Sequence, residues 1–195
     1  MDNIYTEQEL KDMGLKSVGK NVKVSRKCSI YIPETISIGD HSRIDDFCCL
    51  VGGEKGINIG RNVTIAHYCL LGGTGGITLK DFSGISSRVT LYSANGDYLG
   101  ESLTGHTVPK KYLNIISGEI ILNKHVLIGT NTTVLPSVVI GEGTAVGAHS
   151  LVTKNLDPWG VYAGVPVKRI KERKKDLLLL EKAYLKEMAE EQSED

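Results

Sequence analysis

Aromatic side chains are scarce here, with one Trp, two Phe and eight Tyr among 195 residues. Glycine is abundant by contrast, at 22 residues, and this pairing is what a stack of tight turns requires. Net charge is absent too. The 23 basic and 23 acidic side chains cancel, which argues against a general nucleic-acid or membrane-surface binder. No apolar run approaches the roughly 20 residues of a membrane-spanning helix. No charged-then-apolar leader precedes the first patterned stretch, so a cytoplasmic location is the default expectation. The four cysteines, Cys28, Cys48, Cys49 and Cys69, lack CxxC spacing. They are expected at apolar structural positions rather than in disulfides or a metal site. The length suits one domain with a small appendage.

What the chain does contain is a period. From Leu122 to Asp157 it reads as six consecutive blocks of six residues, opening at Leu122, Ile128, Val134, Ile140, Val146 and Val152. Four places after each opener stands a short, β-branched or leucine residue: Val126, Thr132, Val138, Thr144, Ser150 and Leu156. A six-residue period fits neither an amphipathic helix nor an alternating strand. It fits a chain winding into flat coils, three short strands per turn, with every opener pointing inward. The same openers recur earlier, at Ile38, Ile44 and Leu50, at Ile59, Ile65 and Leu71, and at Leu79, Ile85 and Leu91. Gly-rich breaks separate these triplets, which predicts coils of about eighteen residues with a bulged corner.

Three stretches depart from the period. Residues 1–20 form a helical lead-in in which Thr6 and Glu9 have capping-box spacing and Gly14 ends the helix. That lead-in is expected to cover the open bottom of the stack. Between Ala94 and Glu119 a long polar insertion carries Asp97, Glu101, His106, Lys110 and Lys111. Long insertions in repeat stacks are usually functional or disordered, and this one reads as a loop that builds part of a site. After Pro158 the last coil is expected to stop, with the AGVP sequence forming a tight exit. From Val167 onward a helix is expected, with an apolar stripe of Leu177, Leu178, Leu180, Tyr184, Leu185 and Met188. The plain role of that helix is to cap or brace the top of the stack. The domain plan is therefore 1–20 lead-in, 21–166 repeat domain with its 94–119 loop, and 167–195 C-terminal helix.

The repeats, the 94–119 excursion and the block from Ile128 to Ile170 resemble the hexapeptide-repeat acyltransferases, in particular the maltose/galactoside O-acetyltransferase-like branch that acetylates sugars for bacterial surface polysaccharides. The resemblance covers about residues 22–171. It implies an all-β fold, a left-handed parallel β-helix with a projecting loop and a C-terminal helix. It further implies a homotrimer with acyl-CoA sites in clefts between subunits. By motif position the CoA contacts of the family fall on Thr130, Ala148, Thr153, Lys154, Lys168 and Lys171. Chemistry agrees. Small residues such as Gly129, Thr130, Gly147 and Ala148 let a pantetheine arm approach the backbone, and Lys154, Lys168 and Lys171, with Arg169 nearby, offer cations to phosphates.

The acceptor side departs from the resemblance. Sugar hydroxyls are poor nucleophiles, and the related O-acetyltransferases supply a histidine general base just before the long loop. Here Asn95 or Gly96 stands at that place, followed by Asp97. His106 swinging back from the loop, or Asp97, is the substitute candidate, and His125 on the coil after the loop is a third. His41, His67 and His149 read as surface histidines at outward repeat positions. A zinc site of the β-helix carbonic anhydrase kind would need closely spaced histidines, and no His-x4-His pair exists, so no metal is expected. The leading expectation is acetyl-CoA-dependent O-acetylation of a sugar in surface-polysaccharide biosynthesis, by direct attack on the thioester with a backbone N–H stabilising the oxyanion. N-acetylation of a nucleotide-linked amino sugar is the alternative, since a neutral amine attacks without a base once positioned. A non-catalytic β-helix scaffold is the third reading.

Overall fold

The computed structural model describes residues 3–105 and 107–194, with side chains described through residue 190. The hexads form a parallel β-solenoid. Every opener named above is buried, none more than 4% exposed, and the residue four places on is buried in all six blocks of the 122–157 array. The inward residues stack in register. Ile44, Ile65, Ile85, Ile128 and Val146 form one column, and Leu50, Leu71, Leu91, Val134 and Val152 form another. A third column runs Ile38, Ile59, Leu79, Leu122 and Ile140. Each column lines one face of the solenoid. These are the first face (the Ile38 column), the second (the Ile44 column) and the third (the Leu50 column). The core is thus a stack of aliphatic rungs, and burial of each such side chain contributes on the order of 2 kcal/mol.

Coil length changes along the stack. The second-face openers recur after 21 and 20 residues between Ile44, Ile65 and Ile85, but after 18 between Ile128 and Val146. The extra residues are the Gly-rich corners at 52–56 and 73–76. At the other corners one residue adopts a left-handed conformation, and the choice of Asn21, His41, Asn62, His125, Asn131 and His149 at several of them follows from the tolerance of Asn and His for that region.

The ends of the stack differ in part from expectation. Helix α1 (Glu7–Asp12) carries the Thr6–Glu9 capping box, and its Leu10 is fully buried. The lead-in is shorter than residues 1–20, however, because Ser17–Val18 already pairs with Ser37–Ile38 in the first face. At the other end the last coil does not stop at Pro158. Gly160–Gly164 adds a further parallel rung to the second face, and Val167–Glu172 folds back on it as an antiparallel strand. The helical reading from Val167 is therefore corrected. Gly164 and Pro166 turn the chain into a hairpin, and helix α2 begins at Leu177 and runs to Glu194. Nor does α2 sit on top of the stack. Glu181 meets Lys124 and His125, and the Tyr184 hydroxyl accepts a hydrogen bond from Asn62 Nδ2 at 3.0 Å, so the helix runs down the side across several coils. Of the expected stripe, Leu177, Tyr184, Leu185 and Met188 are half-buried, with Glu181 among them, whereas Leu178 and Leu180 are exposed.

The cysteines occupy coil positions. Cys28, Cys48 and Cys69 form one column at the corner between the second and third faces. Each S–H points at a main-chain carbonyl of the next coil, those of Asp45, Ala66 and Ser86, at 3.1, 3.0 and 3.1 Å. Thr132 continues the column and donates its hydroxyl to the Gly147 carbonyl at 3.1 Å. The three thiols thereby give a donor to carbonyls at this corner, and Thr132 shares the Gly147 carbonyl with the Ser150 hydroxyl, which donates to it at 2.7 Å.

Candidate functional site

The insertion between Ala94 and Glu119 is an ordered loop. Its base is closed where Ala94–Asn95 pairs antiparallel with Ile116–Ser117, and the coil resumes at Ile120. Asp97 holds the loop from inside. The Leu99 N–H donates to its Oδ1 at 2.7 Å, and the Glu101 and Ser102 N–H groups donate to its Oδ2 at 2.6 and 2.8 Å. The Leu99 N–H above all, with those of Ser102 and Glu101, keeps this carboxyl below the usual carboxylate range. Between the loop and the third face lies a cleft of about 540 Å³. Asn95, Asp97 and Asn114, with Thr74 and Thr104, are its polar members, and Val51, Leu70, Tyr92, Leu103 and Ile115 give it apolar walls. A pocket of this make-up fits a partly apolar ligand fixed by few polar contacts. Because Asp97 is held ionised, it is a poor proton acceptor at neutral pH and a good partner for a cation.

A second constellation occupies the corner between the second and third faces. Gly129, Gly147 and Ala163 stack there, since the Gly129 N–H donates to the Val146 carbonyl and the Gly147 N–H to the Tyr162 carbonyl. The approach is close enough that a Cβ on Gly129 would stand 2.5 Å from the Ala148 nitrogen. Ala148 is exposed beside them. The Thr130 hydroxyl is already engaged, donating to the Ser87 carbonyl one coil below at 2.5 Å. Lys168 pairs with Ala163, and Lys171 with Val161. A spacing of three would put two strand residues on opposite sides. The register shift that leaves Ile170 as an extra residue brings both lysines to the outward side shared by Val161 and Ala163. Thr153 and Lys154 follow Leu151–Val152, at the opposite edge of the third face, and are both exposed.

The site residues expected from the sequence thus fall mainly in two places, with Thr153 and Lys154 apart at the far edge of the third face. Asn95 and Asp97 share the loop cleft. Gly129, Thr130, Gly147, Ala148 and Lys168 gather at one corner, with Lys171 further along the second face. His106 lies outside the described residues. His125 belongs to neither place. It is buried under α2, its Nε2 lies 2.8 Å from Glu181 Oε2, and its ring stacks on Phe82 at 5.4 Å. Arg173 Nη1 donates to its carbonyl at 2.8 Å. This is the environment of a clamp for the helix, and it lies on a different cleft from that of Asn95 and Asp97. Sequence reasoning passed over Tyr92 and Asn114, which line the loop cleft. The outward hexad position of Tyr92, just before the insertion, was the available signal. Among the described residues no group of three or more His, Cys, Asp and Glu side chains is placed to hold a metal ion, and no helix is long and apolar enough to cross a membrane.

No family model matches the chain. Individual proteins do. The chain is 47% identical over 178 residues to dTDP-4-amino-4,6-dideoxy-D-glucose acyltransferase of Escherichia coli, covering 91% of this chain and 93% of that protein. It is 30% identical over 157 residues to the putative lipopolysaccharide biosynthesis O-acetyl transferase WbbJ, also of Escherichia coli, covering 80% and 78% of the two chains. Among solved structures, AntD, an N-acyltransferase from Bacillus cereus in complex with dTDP and 3-hydroxybutyryl-CoA, superposes with a TM-score of 0.92. The identity there is 48%, over 97% of this chain and 100% of that one. The hexad columns, the ordered insertion and these likenesses agree, and the chain belongs to the hexapeptide-repeat acyltransferases, as an enzyme of acyl transfer rather than a bare scaffold.

Proposed function

We propose that this protein N-acylates an amino sugar carried on a nucleotide diphosphate, the amine attacking the thioester of an acyl-CoA directly. The observation that carries this reading is the near full-length likeness to an acyltransferase named for dTDP-4-amino-4,6-dideoxy-D-glucose. The loop cleft supports it. Where an O-acetyltransferase of this kind would present a basic histidine, the chain presents Asn95 and an ionised Asp97. A carboxylate held ionised attracts an ammonium and orients the amine it becomes. Sugar O-acetylation in surface-polysaccharide biosynthesis is the second reading, favoured by the likeness to WbbJ.

On the donor side, Gly129, Thr130, Gly147 and Ala148 flank the pantetheine arm, and Thr153, Lys154, Lys168 and Lys171 serve the phosphate end. The loop cleft and the glycine corner stand at different corners of one chain. A cyclic homotrimer, in which one copy sets its corner against the loop of the next, would join them. The enzyme would work in the cytoplasm, without a metal. Acetyl is the simplest acyl group. AntD was solved with 3-hydroxybutyryl-CoA, so a longer acyl group belongs in the same test.

The test offers acetyl-CoA and 3-hydroxybutyryl-CoA to the protein with dTDP-4-amino-4,6-dideoxyglucose or with free galactosides, following CoA thiol release and the product mass. Acyl transfer to the amino sugar, giving a product stable to neutral hydroxylamine, is expected. A hydroxylamine-labile ester, or thiol release only with free sugars, would overturn the N-acyl reading in favour of the O-acyl one. Light scattering of the eluted protein reads the trimer.

A further inference from the structure

His67, set aside as a surface histidine on sequence grounds, lies on the same corner as the glycines. Successive coils place Ala66, Ser86, Gly129, Gly147 and Ala163 one above another. The Ala66 N–H donates to the Ile85 carbonyl, the Ser86 N–H to that of Ile128, the Gly129 N–H to that of Val146 and the Gly147 N–H to that of Tyr162. His67, Ser87, Thr130 and Ala148 form the adjacent column. Within it, the His67 carbonyl accepts from the Arg88 N–H and the Ser87 carbonyl from the Asn131 N–H. His67 therefore stands one coil below Ser87, on the line of the proposed pantetheine groove.

The length of the groove places the thioester. Lys168 marks the rung of Ala163. Three rungs of roughly 4.8 Å lead from there to Ser86 and Ser87, a distance of about 14 Å. The arm of CoA between phosphate and sulfur has about thirteen bonds, and at the reach of an extended chain, ~1.2 Å per bond, it spans roughly 15 Å. With its phosphate end at Lys168, an extended arm of this length would bring the sulfur to the Ser87 rung, one rung above His67.

The imidazole is prepared for proton transfer. Its Nδ1 lies 3.6 Å from Asp45 Oδ2, an ion-pair distance rather than a hydrogen bond, and Asp45 is itself held by Arg43 Nε at 2.5 Å. That placement favours the tautomer with its proton on Nδ1 and leaves the Nε2 lone pair outward, on a ring that is half exposed. The other charges around it are Asp46 with its partner Lys27, and Arg88, which stacks on Tyr68.

We propose that His67, oriented by Asp45, is a catalytic residue that moves the proton in acyl transfer. This rests on the N-acylation reading above. The acceptor nitrogen forms its bond to the thioester carbonyl carbon, His67 Nε2 takes the proton that nitrogen loses, and the carbon–sulfur bond breaks. The proton then passes from Nε2 to the departing thiolate, so amide and free CoA thiol are the only products.

The test compares the full-length wild type with His67→Gln and Asp45→Asn, using acetyl-CoA and dTDP-4-amino-4,6-dideoxyglucose from about pH 5.5 to about pH 9. With His67→Gln, kcat is expected to fall about 100-fold, with the acid limb due to the imidazole lost and the CoA Kd and Tm unchanged. The acceptor's own ammonium titrates alike in every protein, so the difference between profiles reads His67. Asp45→Asn is expected to give a smaller loss of kcat, with the CoA Kd and Tm unchanged. A His67→Gln enzyme that keeps the wild-type kcat and profile overturns the inference alone, and so does a rise in KM with kcat intact. A wild type that releases no thiol with the amino sugar overturns the N-acylation reading and the inference together.

Discussion

Replacing Gly129 and Gly147 separately by alanine should give two different defects, although both glycines stand at the same corner one coil apart. A Cβ on Gly129 would lie 2.5 Å from the Ala148 nitrogen, 2.8 Å from the Gly147 carbonyl carbon and 2.9 Å from the Val146 carbonyl oxygen. All three are backbone atoms locked into the next coil, so the coil itself must shift. The cost falls at the upper end of overpacking, about 3 kcal/mol. For a chain of this size that lowers Tm by roughly 6–12 °C. A Cβ on Gly147 meets only the Ala163 Cβ at 3.0 Å, with its next neighbours at 3.5 and 3.9 Å. Above Ala163 lies only the antiparallel Val167–Glu172 strand rather than a further coil, so Ala163 has more room to shift than the backbone that Gly129 meets. The cost is at most about 1 kcal/mol, offset in part by the ~0.4–1 kcal/mol that a Gly→Ala change contributes by restricting the unfolded chain. Gly147→Ala should therefore melt within about 4 °C of the wild type. Its methyl narrows the groove, and CoA should bind about tenfold more weakly, a loss of ~1.4 kcal/mol. Calorimetric melting and titration with CoA read the two effects separately. The reasoning is refuted if Gly129→Ala melts like the wild type, or if Gly147→Ala is the less stable of the two.

Three further outcomes follow from the same geometry. Burial opposes ionisation of Glu181, but the hydrogen bonds from Lys124 and His125 outweigh it and hold the carboxyl below its ordinary value. The contribution of Glu181 is thus complete above the ordinary carboxylate range and lost as pH falls through the lowered value. Helix α2 should loosen first in acid, read as faster amide exchange over residues 177–190, and Glu181→Gln should loosen it already at neutral pH by about 1–2 kcal/mol. Asp97→Asn should lower kcat about 100-fold, because its amide cannot accept on both sides as the carboxylate does and the loop relaxes; wild-type turnover by this variant would remove Asp97 from the site. Dialysis against a chelator should leave kcat unchanged, and activity restored only by added metal would contradict the metal-free mechanism.

The solenoid was legible in the sequence because one residue in six must fill a narrow core, and that demand is local and repeated. The openers from Ile38 to Val152, the buried residues four places on, and the limits of the insertion at Ala94 and Glu119 all follow from it. The small residues Gly129, Gly147 and Ala148 were visible for the same reason, since corners leave little room. Other features were settled only by tertiary structure, because they depend on what one coil sets against another. Val167–Glu172 has a helical-looking composition yet forms a strand, since the open edge of Gly160–Gly164 offers it hydrogen bonds. His125 resembles any outward histidine until α2 descends on it with Glu181. Asp97 is one acidic residue among several in the loop until three backbone N–H groups converge on it. His67 stands beside Asp45 and beneath Ser87 only because neighbouring coils are stacked in register. Periodicity could determine which residues face inward, while the partners of the outward ones were decided by the stacking of coils far apart in the chain.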